Sequence, residues 1–179
     1  MNLIIHSTPN DERRSLGGAL ALRLAKHLGG STRVVRIYKS PQRYFAYEFN
    51  DRWMKLVAAA ERLIIPVPVW NFSIPAALKD FFDKISQSGK LWRPGPDGKS
   101  IGLLKNRPVY VILTSGLPFP AGSPEDFVVP YIRLFFSFLG VRDVRDFRVE
   151  NVSKSRQLIA DKDYMDRKVR EMLKVFGIK

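Results

Sequence analysis

The amino-acid sequence predicts an α/β fold in which a parallel β-sheet is covered by helices on both faces. Short apolar segments alternate along the chain with segments in which leucine and phenylalanine recur at helical spacing. Most strand segments are apolar without interruption, which is typical of strands buried on both faces. No repeat and no linker divides the 179 residues, so we predict a single domain over residues 1–179.

Five apolar runs predict the strands of this sheet. They are residues 2–7, 32–38, 62–69, 107–115 and 143–152. The third run, RLIIPVPV, contains Pro66, which has no amide hydrogen to donate to a neighbouring strand. We therefore expect a local irregularity of the sheet at Pro66.

Five helices are predicted to connect these strands. They span residues 15–28, 51–61, 75–88, 123–139 and 161–176. The first is preceded by a strand and stopped by Gly29-Gly30, and the third has a proline in its first turn, where no donor is needed. Ser123 and Pro124 have the residue types of a helix cap and a first helical position, so we place the start of the fourth helix there.

Composition narrows the classes of function. The chain has 30 Lys and Arg against 17 Asp and Glu, and the net charge of +13 attracts anions such as nucleic acid or an anionic cofactor. The absence of cysteine excludes disulfides, thiolate metal sites and cysteine nucleophiles. His6 and His27 are not spaced as metal ligands, so we predict no metal site.

The sequence also bears on location. No apolar run approaches the roughly 20 residues that a membrane helix requires, and the N-terminal segment lacks the features of a secretory signal. Together with the lack of cysteine, this predicts a cytoplasmic protein without a membrane span.

Ligands of doubly wound sheets bind beyond the carboxyl ends of the strands, where three segments of this chain are predicted to meet. The first carries Ser7, then Arg13, Arg14 and Ser15 at the start of the first helix. Free amides and the positive end of the helix dipole favour an anion there, and two guanidinium groups match a phosphate. The alternative is a polar loop in which Ser15 only caps the helix.

The other two segments follow the third and fourth strands. Trp70, Asn71 and Phe72 lie where a turn needs only small polar residues, so their rings are suited to a flat aromatic ligand. The alternative is a hydrophobic plug over the sheet edge, with Asn71 bonded to its own turn. The segment TSG at 114–116 either offers hydroxyl and amide donors or is an ordinary turn.

Three stretches of the chain resemble the FMN-dependent NADH:quinone oxidoreductases and azoreductases of the flavodoxin-like superfamily. They are PVWNFSIPAALKDFFDKI (68–85), SGKLWRPGPDGKSIGLLKNRPVYVILTSG (88–116) and SPEDFVVPYIRLFFSFLGVRDV (123–144). The first is the most specific, and the resemblance covers most of the chain from Arg62 to Val144. It implies a flavodoxin-like three-layer sandwich whose five-stranded parallel sheet has the order 2-1-3-4-5, with helices on both faces.

The resemblance also implies a function. FMN would be bound non-covalently, NAD(P)H would donate electrons, and a quinone, azo or nitroaromatic compound would accept two of them. No catalytic residue is assigned, because the flavin carries that chemistry. The resemblance further implies a homodimer with active sites near the interface.

A set of cofactor-binding residues is implied by the same resemblance. Ser7, Arg13, Arg14 and Ser15 would lie at the phosphate, Pro68, Val69, Trp70, Asn71 and Phe72 along the isoalloxazine ring, and Ser115 and Gly116 at its polar edge. The chain departs from the family at Arg13, where a second hydroxyl residue is common, and at Leu117 and Pro118, where glycine is common.

Two rival functions are weighed against this one. RVVRIYKSPQRYFAYEF (33–49) interleaves four basic residues with five aromatic ones, a pattern compatible with a non-enzymatic module that binds nucleic acid or another polyanion. We favour a loop that covers the substrate at this segment. One-electron transfer, as in flavodoxins, is disfavoured because those proteins typically use acidic surfaces and this chain is basic.

Overall fold

The computed structural model describes residues 1–39, 48–152 and 155–178. Its centre is a five-stranded sheet that lies between two layers of helices. The strands are β1 (Asn2–His6), β2 (Thr32–Arg36), β3 (Arg62–Pro68), β4 (Trp92–Pro94), β5 (Ser100–Gly102), β6 (Val109–Thr114) and β7 (Val144–Val149). The helices are α1 (Leu16–Leu28), α2 (Asp51–Ala59), α3 (Ala76–Ile85), α4 (Val128–Phe138), α5 (Ser155–Ala160) and α6 (Lys162–Phe176). A short 3-10 helix, Ile37–Lys39, follows β2.

All neighbours in the central sheet are parallel, and their order is β2-β1-β3-β6-β7. Counted over the strands of that sheet alone, this is the order 2-1-3-4-5. The predicted fold class and strand order are therefore confirmed. Because the strands are parallel, the segments that follow β1, β3 and β6 all emerge at one edge of the sheet.

Successive residues of each strand face opposite layers, which explains the continuous apolar runs. In β1, Leu3 and Ile5 pack towards α2, α3 and α4, whereas Ile4 packs towards α1 and α6. The first of these layers is dense in aromatic rings, with Phe82 of α3 stacked on Phe135 of α4 at 4.1 Å between ring centres. A strand that is buried on both faces needs apolar side chains at both its odd and its even positions.

Three short features were not predicted from the sequence. An antiparallel hairpin, β4 and β5, lies in the connection between α3 and β6. Helix α5 lies directly before α6, and the 3-10 helix Ile37–Lys39 ends β2 at Arg36, although the strand was predicted to continue to residue 38. Strands of three residues and a helix of six are too short to show a period.

The expected irregularity at Pro66 takes the form of a shortened ladder. Pairing between β1 and β3 stops at Ile4 and Ile64, although β1 continues to His6. Pairing of β3 with β6 continues through Pro66. On the β1 side, the hydroxyl of Ser7 donates to the carbonyl of Pro66 at 2.9 Å. A side chain is therefore the donor to this carbonyl, where a regular ladder would use a backbone amide of β1.

The predicted start of the fourth helix is wrong by several residues. Helix α4 begins at Val128, and Ser123 instead accepts a turn hydrogen bond from the amide of Asp126 at 3.0 Å. The carboxylate of Asp126 is bound to Arg148 of β7 at 2.6 Å. This buried ion pair holds the chain away from a helical path, which outweighs the local preference of the cap residues.

Across the ranges that the structure describes, none of the helices has the length and apolar character that a bilayer crossing demands.

Candidate functional site

A cleft lies at the carboxyl edge of β1, β3 and β6, and it brings together parts of all three predicted segments. Its volume is about 200 Å³. The lining residues are Thr8, Pro9, Asn10, Arg14, Ser15, Leu16, Gly17, Pro66, Val67, Pro68, Trp70 and Thr114. The loop after β1, the end of β3 and the last residue of β6 therefore share one concave site.

The start of α1 forms one wall of this cleft. The hydroxyl of Ser15 accepts a hydrogen bond from the amide of Gly18 at 3.0 Å, which caps the helix. A helix supplies no acceptors for the amides of its first turn, and Leu16 and Gly17 of that turn line the cleft. With Arg14 beside them, the amides and the helix dipole make this end of the cleft suited to an anion.

Two glycines allow the helix to approach its surroundings closely. A Cβ atom at Gly18 would lie 2.4 Å from the carbonyl oxygen of Glu12, inside the loop that precedes the helix. A Cβ atom at Gly17 would lie 3.2 Å from the Cβ atom of Pro66 in β3. The first contact cannot be accommodated without moving backbone, so Gly18 fixes the position of the loop against α1.

Two of the predicted phosphate residues do not line the cleft. The side chain of Ser7 is fully buried, and its hydroxyl is bound to Pro66. Arg13 is exposed, and its amide donates to the carboxylate of Asp11 at 3.0 Å within the loop. Of the four residues predicted at the phosphate, Arg14 and Ser15 are the two that the structure brings to the cleft.

His6 organises the loop from behind. Its ring is fully buried, and Nε2 lies 2.8 Å from the carbonyl oxygen of Asn10 and 2.9 Å from the hydroxyl of Thr8. Because a carbonyl can only accept, Nε2 carries the proton. Burial lowers the pKa of His6, and Nδ1 has no hydrogen-bond partner within the described part of the chain. The folded loop therefore contains His6 in its neutral form. In the sequence, the position of His6 directly before Ser7, at the end of the first strand, is the signal that could have indicated this role.

An ion pair with a buried carboxylate and a partly exposed guanidinium ties the same loop to the edge strand. Arg36 of β2 donates from Nε to Oε2 of Glu12 at 2.7 Å and from Nη2 to Oε1. Burial alone would raise the pKa of Glu12, but the hydrogen bonds from Arg36 and from the backbone outweigh it and lower the pKa. Sequence reasoning missed this pair, since nothing in the spacing of residues 12 and 36 marks it.

The turn after β3 presents its aromatic side chains outward. Trp70 and Ser73 exchange backbone hydrogen bonds of 3.0 and 3.1 Å, which closes a tight turn around Asn71 and Phe72. Both central residues have positive φ, 49° and 63°. This conformation suits Asn and Gly, and it is strained for a bulky residue such as Phe72.

The rings of this turn are partly exposed. Trp70 is 42 % exposed and Phe72 is 61 % exposed. The ring of Trp70 meets that of Tyr38 edge to face at 6.2 Å and also lines the cleft. Val69 next to it is half-buried and donates to the carbonyl of Thr114 at 2.8 Å. Apolar surface is thus left open at this edge of the sheet.

The third segment is held by its own hydrogen bonds. The hydroxyl of Ser115 donates to the carbonyl of Leu117 at 2.7 Å, and its amide donates to Val149 at 3.1 Å. Gly116 is exposed, and a Cβ atom there would meet nothing within 4 Å. Thr114 is the member of this segment that lines the cleft.

Two further predictions concern parts of the chain away from the cleft. The basic and aromatic stretch 33–49 lies partly outside the described residues, because 40–47 are not among them. Over the ranges 1–39, 48–152 and 155–178, no three His, Asp or Glu side chains are grouped as a metal site would require.

The whole cleft lies in a part of the chain that matches a known family. The model of a family described as having a flavodoxin-like fold matches residues 2–175. Among solved structures, an azoreductase from Bacillus anthracis superposes with a TM-score of 0.76 at 16% identity, covering 98% of both chains. An FMN-dependent NADH-azoreductase from the same species, in complex with FMN, superposes with a TM-score of 0.71 at 20% identity, covering 98% of this chain and 97% of that one.

Sequence relatives cover less of the chain. FMN-dependent NADH:quinone oxidoreductase 2 of Hahella chejuensis is 33% identical over 114 residues, which are 63% of this chain and 56% of the relative. FMN-dependent NADH:quinone oxidoreductase 1 of Bradyrhizobium diazoefficiens is 42% identical over 98 residues, 53% of this chain and 47% of the relative. The matched part thus spans about half the length of these curated relatives.

Proposed function

The chain belongs to the family with the flavodoxin-like fold, and from this premise we propose that its cleft binds FMN and that the protein reduces quinones, azo compounds or nitroaromatic compounds with electrons from NAD(P)H. One observation carries the proposal: a helix start suited to an anion and a partly exposed aromatic turn lie at the same sheet edge, and residues of both line one cleft. FMN has a phosphate at one end and a flat ring at the other. The names of the sequence relatives support the same cofactor and reaction.

The phosphate is assigned to the start of α1. The amides of Leu16 and Gly17, the guanidinium of Arg14 and the loop before Ser15 would hold it. A phosphate needs several donors and compensating charge, which this end of the cleft offers. Gly17 fits this role because it brings the helix to within contact of Pro66, and both residues line the cleft.

The ring is assigned to the turn after β3 and to the segment after β6. Pro68, Val69, Trp70, Asn71 and Phe72 would lie along it, with Ser115 and Gly116 at its polar edge. Exposed rings that are fixed by a closed turn can pack on a planar ligand at little entropic cost. When bound, FMN supplies the transfer of two electrons, and the protein supplies orientation and contacts around it.

The test is the visible spectrum of the protein after incubation with FMN and gel filtration. We expect a flavin spectrum that co-elutes with the protein and oxidation of NADH or NADPH that depends on an added quinone. A colourless protein that takes up no FMN at micromolar concentration would overturn the proposal.

Tryptophan fluorescence tests the ring assignment separately. Trp53 is buried in the core and Trp92 packs in the β4–β5 hairpin, whereas Trp70 lines the cleft. FMN should quench the emission of the parent protein, and Trp70→Ala should lose most of that quench and bind FMN more weakly. Trp92→Phe is the matched control and should retain both. Equal FMN affinity of Trp70→Ala and the parent would remove the turn from the site.

A homodimer is proposed on the apolar groove between the starts of α3 and α4. This groove has a volume of about 720 Å³ and is lined by Ser73, Ile74, Ala76, Lys79, Phe127, Val128, Pro130, Tyr131 and Leu134. Phe127 and Leu134 are exposed to the solvent, at a cost that a second copy would remove. Light scattering should give a dimer for the parent and a monomer for Leu134→Glu. Leu103→Glu, which is also exposed but outside the groove, should stay dimeric.

A further inference from the structure

Glu12 lies in the middle of the loop that connects β1 to α1, residues 7–15. The residues of this loop that line the cleft lie on both sides of it in the sequence: Thr8, Pro9, Asn10, Arg14 and Ser15. Glu12 does not line the cleft, and its side chain is only 6% exposed. A displacement of Glu12 would therefore move cleft residues that precede it and cleft residues that follow it.

The backbone of Glu12 packs against the first turn of α1. A Cβ atom at Gly18 would lie 2.4 Å from the carbonyl oxygen of Glu12 and 2.7 Å from its Cα atom, so the two backbones are in direct contact. The amide of Gly18 is also the one that donates to the hydroxyl of Ser15. Because close-packed groups transmit a displacement, the position of Glu12 sets how the loop meets the helix start to which the phosphate is assigned.

The side chain of Glu12 is held by a residue of another strand. Arg36, the last residue of the edge strand β2, donates from Nε to Oε2 of Glu12 at 2.7 Å and from Nη2 to Oε1. Two parallel bonds from a planar guanidinium fix the orientation of a carboxylate as well as its distance. The middle of the loop is thus attached to β2, while the hydroxyl of Ser7 attaches its beginning to β3.

The negative charge of Glu12 needs an explanation in a loop assigned to a phosphate. A carboxylate repels an anion bound nearby, and a buried carboxylate without a partner is costly in free energy. Arg36 compensates both effects. A buried ion pair adds little net stability compared with apolar residues of the same size, so stability alone does not account for this one. What the pair supplies is a single fixed arrangement of the loop.

We propose that Glu12 and Arg36 are positioning residues for the FMN phosphate, which hold the loop so that Arg14 and the amides at the start of α1 converge on it. This inference rests on the proposed function. Neither Glu12 nor Arg36 is assigned a contact with the ligand, and the flavin ring is assigned to other segments. The affinity for FMN should therefore depend on the pair, whereas the affinity for riboflavin, which lacks the phosphate, should not.

The first test is Glu12→Gln, for which positioning and simple charge effects have opposite signs. Removing a negative charge beside an anion site would by itself tighten FMN binding. Loss of the bidentate pair should instead weaken FMN by roughly three- to tenfold, which corresponds to part of one charge-assisted hydrogen bond to the phosphate. Calorimetry should find riboflavin bound equally by the variant and the parent. Asp11→Asn is the matched control, because it removes the same charge from the neighbouring residue and retains an acceptor for the amide of Arg13. It should not weaken FMN.

The second test addresses Arg36. Arg36→Lys keeps the positive charge but cannot make both bonds to Glu12, so it should weaken FMN and leave riboflavin unchanged. A residue that only neutralised Glu12 would tolerate this change. In the Glu12→Gln background, Arg36→Lys should have little further effect, because the pair has already been broken. Asp143→Asn breaks a comparable pair with Arg145 at the opposite edge strand, with bonds of 2.7 and 2.9 Å, and should not change the ratio of the two affinities.

The outcomes separate this inference from the function on which it rests. A parent protein that takes up no FMN overturns both. A parent that binds FMN, with Glu12→Gln binding it equally or more tightly, overturns the positioning role alone. A parallel loss of FMN and riboflavin in the variants assigns the pair to the general stability of the fold and also overturns that role. Arg36→Lys retains both opposite charges, so it is expected to fold even where Glu12→Gln does not, and its two affinities then decide the outcome.

Discussion

The loop after β1 and the turn after β3 lie side by side at one edge of the sheet, but they use their side chains in opposite ways. In the loop, Ser7 is turned to Pro66, Glu12 is turned to Arg36, and the Ser15 hydroxyl is turned to its own helix. In the turn, Trp70 and Phe72 are turned to the solvent. The loop therefore offers mainly backbone amides, whereas the turn offers rings.

This difference teaches that polar residues at a strand end are not automatically ligand contacts. The side chains of the loop make hydrogen bonds that fix the path of the backbone. The backbone amides, rather than the side chains, are then available to an anion. The turn needs no such support, because two backbone hydrogen bonds close it. It tolerates instead a strained Phe72, as expected where a side chain is kept for a purpose other than folding.

The largest expected effect breaks the loop. Gly18→Ala places a Cβ atom against the backbone of Glu12, and we expect it to lower the free energy of unfolding by about 3 kcal/mol or more and to abolish tight FMN binding. Urea unfolding and FMN titration measure the two effects. Gly116→Ala is the control from the other segment, where the added atom meets open space, and its stability should stay within about 0.5 kcal/mol of the parent.

The next effect separates charge from ring contacts. Arg14→Ala should weaken FMN about ten- to a hundredfold, since a charged hydrogen bond is worth roughly 1.5–3 kcal/mol. Riboflavin has the same ring without the phosphate, and calorimetry should find it bound equally by the variant and the parent. Arg13 does not line the cleft, so Arg13→Ala should leave FMN affinity nearly unchanged. A parallel loss of FMN and riboflavin in Arg14→Ala would contradict the phosphate role.

A smaller effect concerns the strain of the turn. Phe72→Gly and Phe72→Ala both remove the ring, but only glycine adopts positive φ without cost. We therefore expect the glycine variant to be more stable than the alanine variant by about 1 kcal/mol in urea unfolding. Both should lose FMN affinity to a similar extent. Equal stability of the two variants would show that the conformation at this position is not strained.

The smallest expected effect is on pH dependence and again concerns the loop. Because the pKa of His6 is lowered in the folded protein, the unfolded chain binds the proton more readily. Stability should therefore fall as the pH drops below the ordinary histidine value of about 6.5. His6→Gln retains a donor for the Asn10 carbonyl but cannot titrate. It should make the free energy of unfolding less dependent on pH between neutral pH and the range where carboxylates titrate. An unchanged slope would place the titration elsewhere.

Much of the fold was predictable because its signals are periodic. The apolar runs of β1, β3 and β6 reflect burial on both faces, and the leucines of α1 reflect one buried stripe. The start of α4 was not predictable from the residues around Ser123, since it depends on Asp126 meeting Arg148, which is distant in sequence. Local propensity gives way where a buried ion pair forms.

The candidate site divides in the same way. Trp70 and Arg14 were found by residue type and by their position at strand and helix ends, and the cleft contains both. The Glu12–Arg36 pair and the inward turn of Ser7 were missed, because side-chain direction within a loop depends on partners from other strands. Sequence thus indicated which segments meet, but not which atoms of those segments remain available.

Helix α6 contributes no side chain to the cleft, yet it shares a hydrophobic layer with α1. Met165, Met172 and Phe176 of α6 and Leu20 and Leu24 of α1 are fully buried in that layer. Local opening of α6 would expose these residues and leave α1 unsupported, with its first turn no longer fixed at the sheet edge. The two effects are coupled and equal in size. If undocking of α6 weakens the free energy of ligand binding by a given amount, a ligand held by the first turn of α1 raises the free energy of opening α6 by the same amount. The rate of amide hydrogen exchange in α6 is therefore expected to fall when a ligand occupies the cleft.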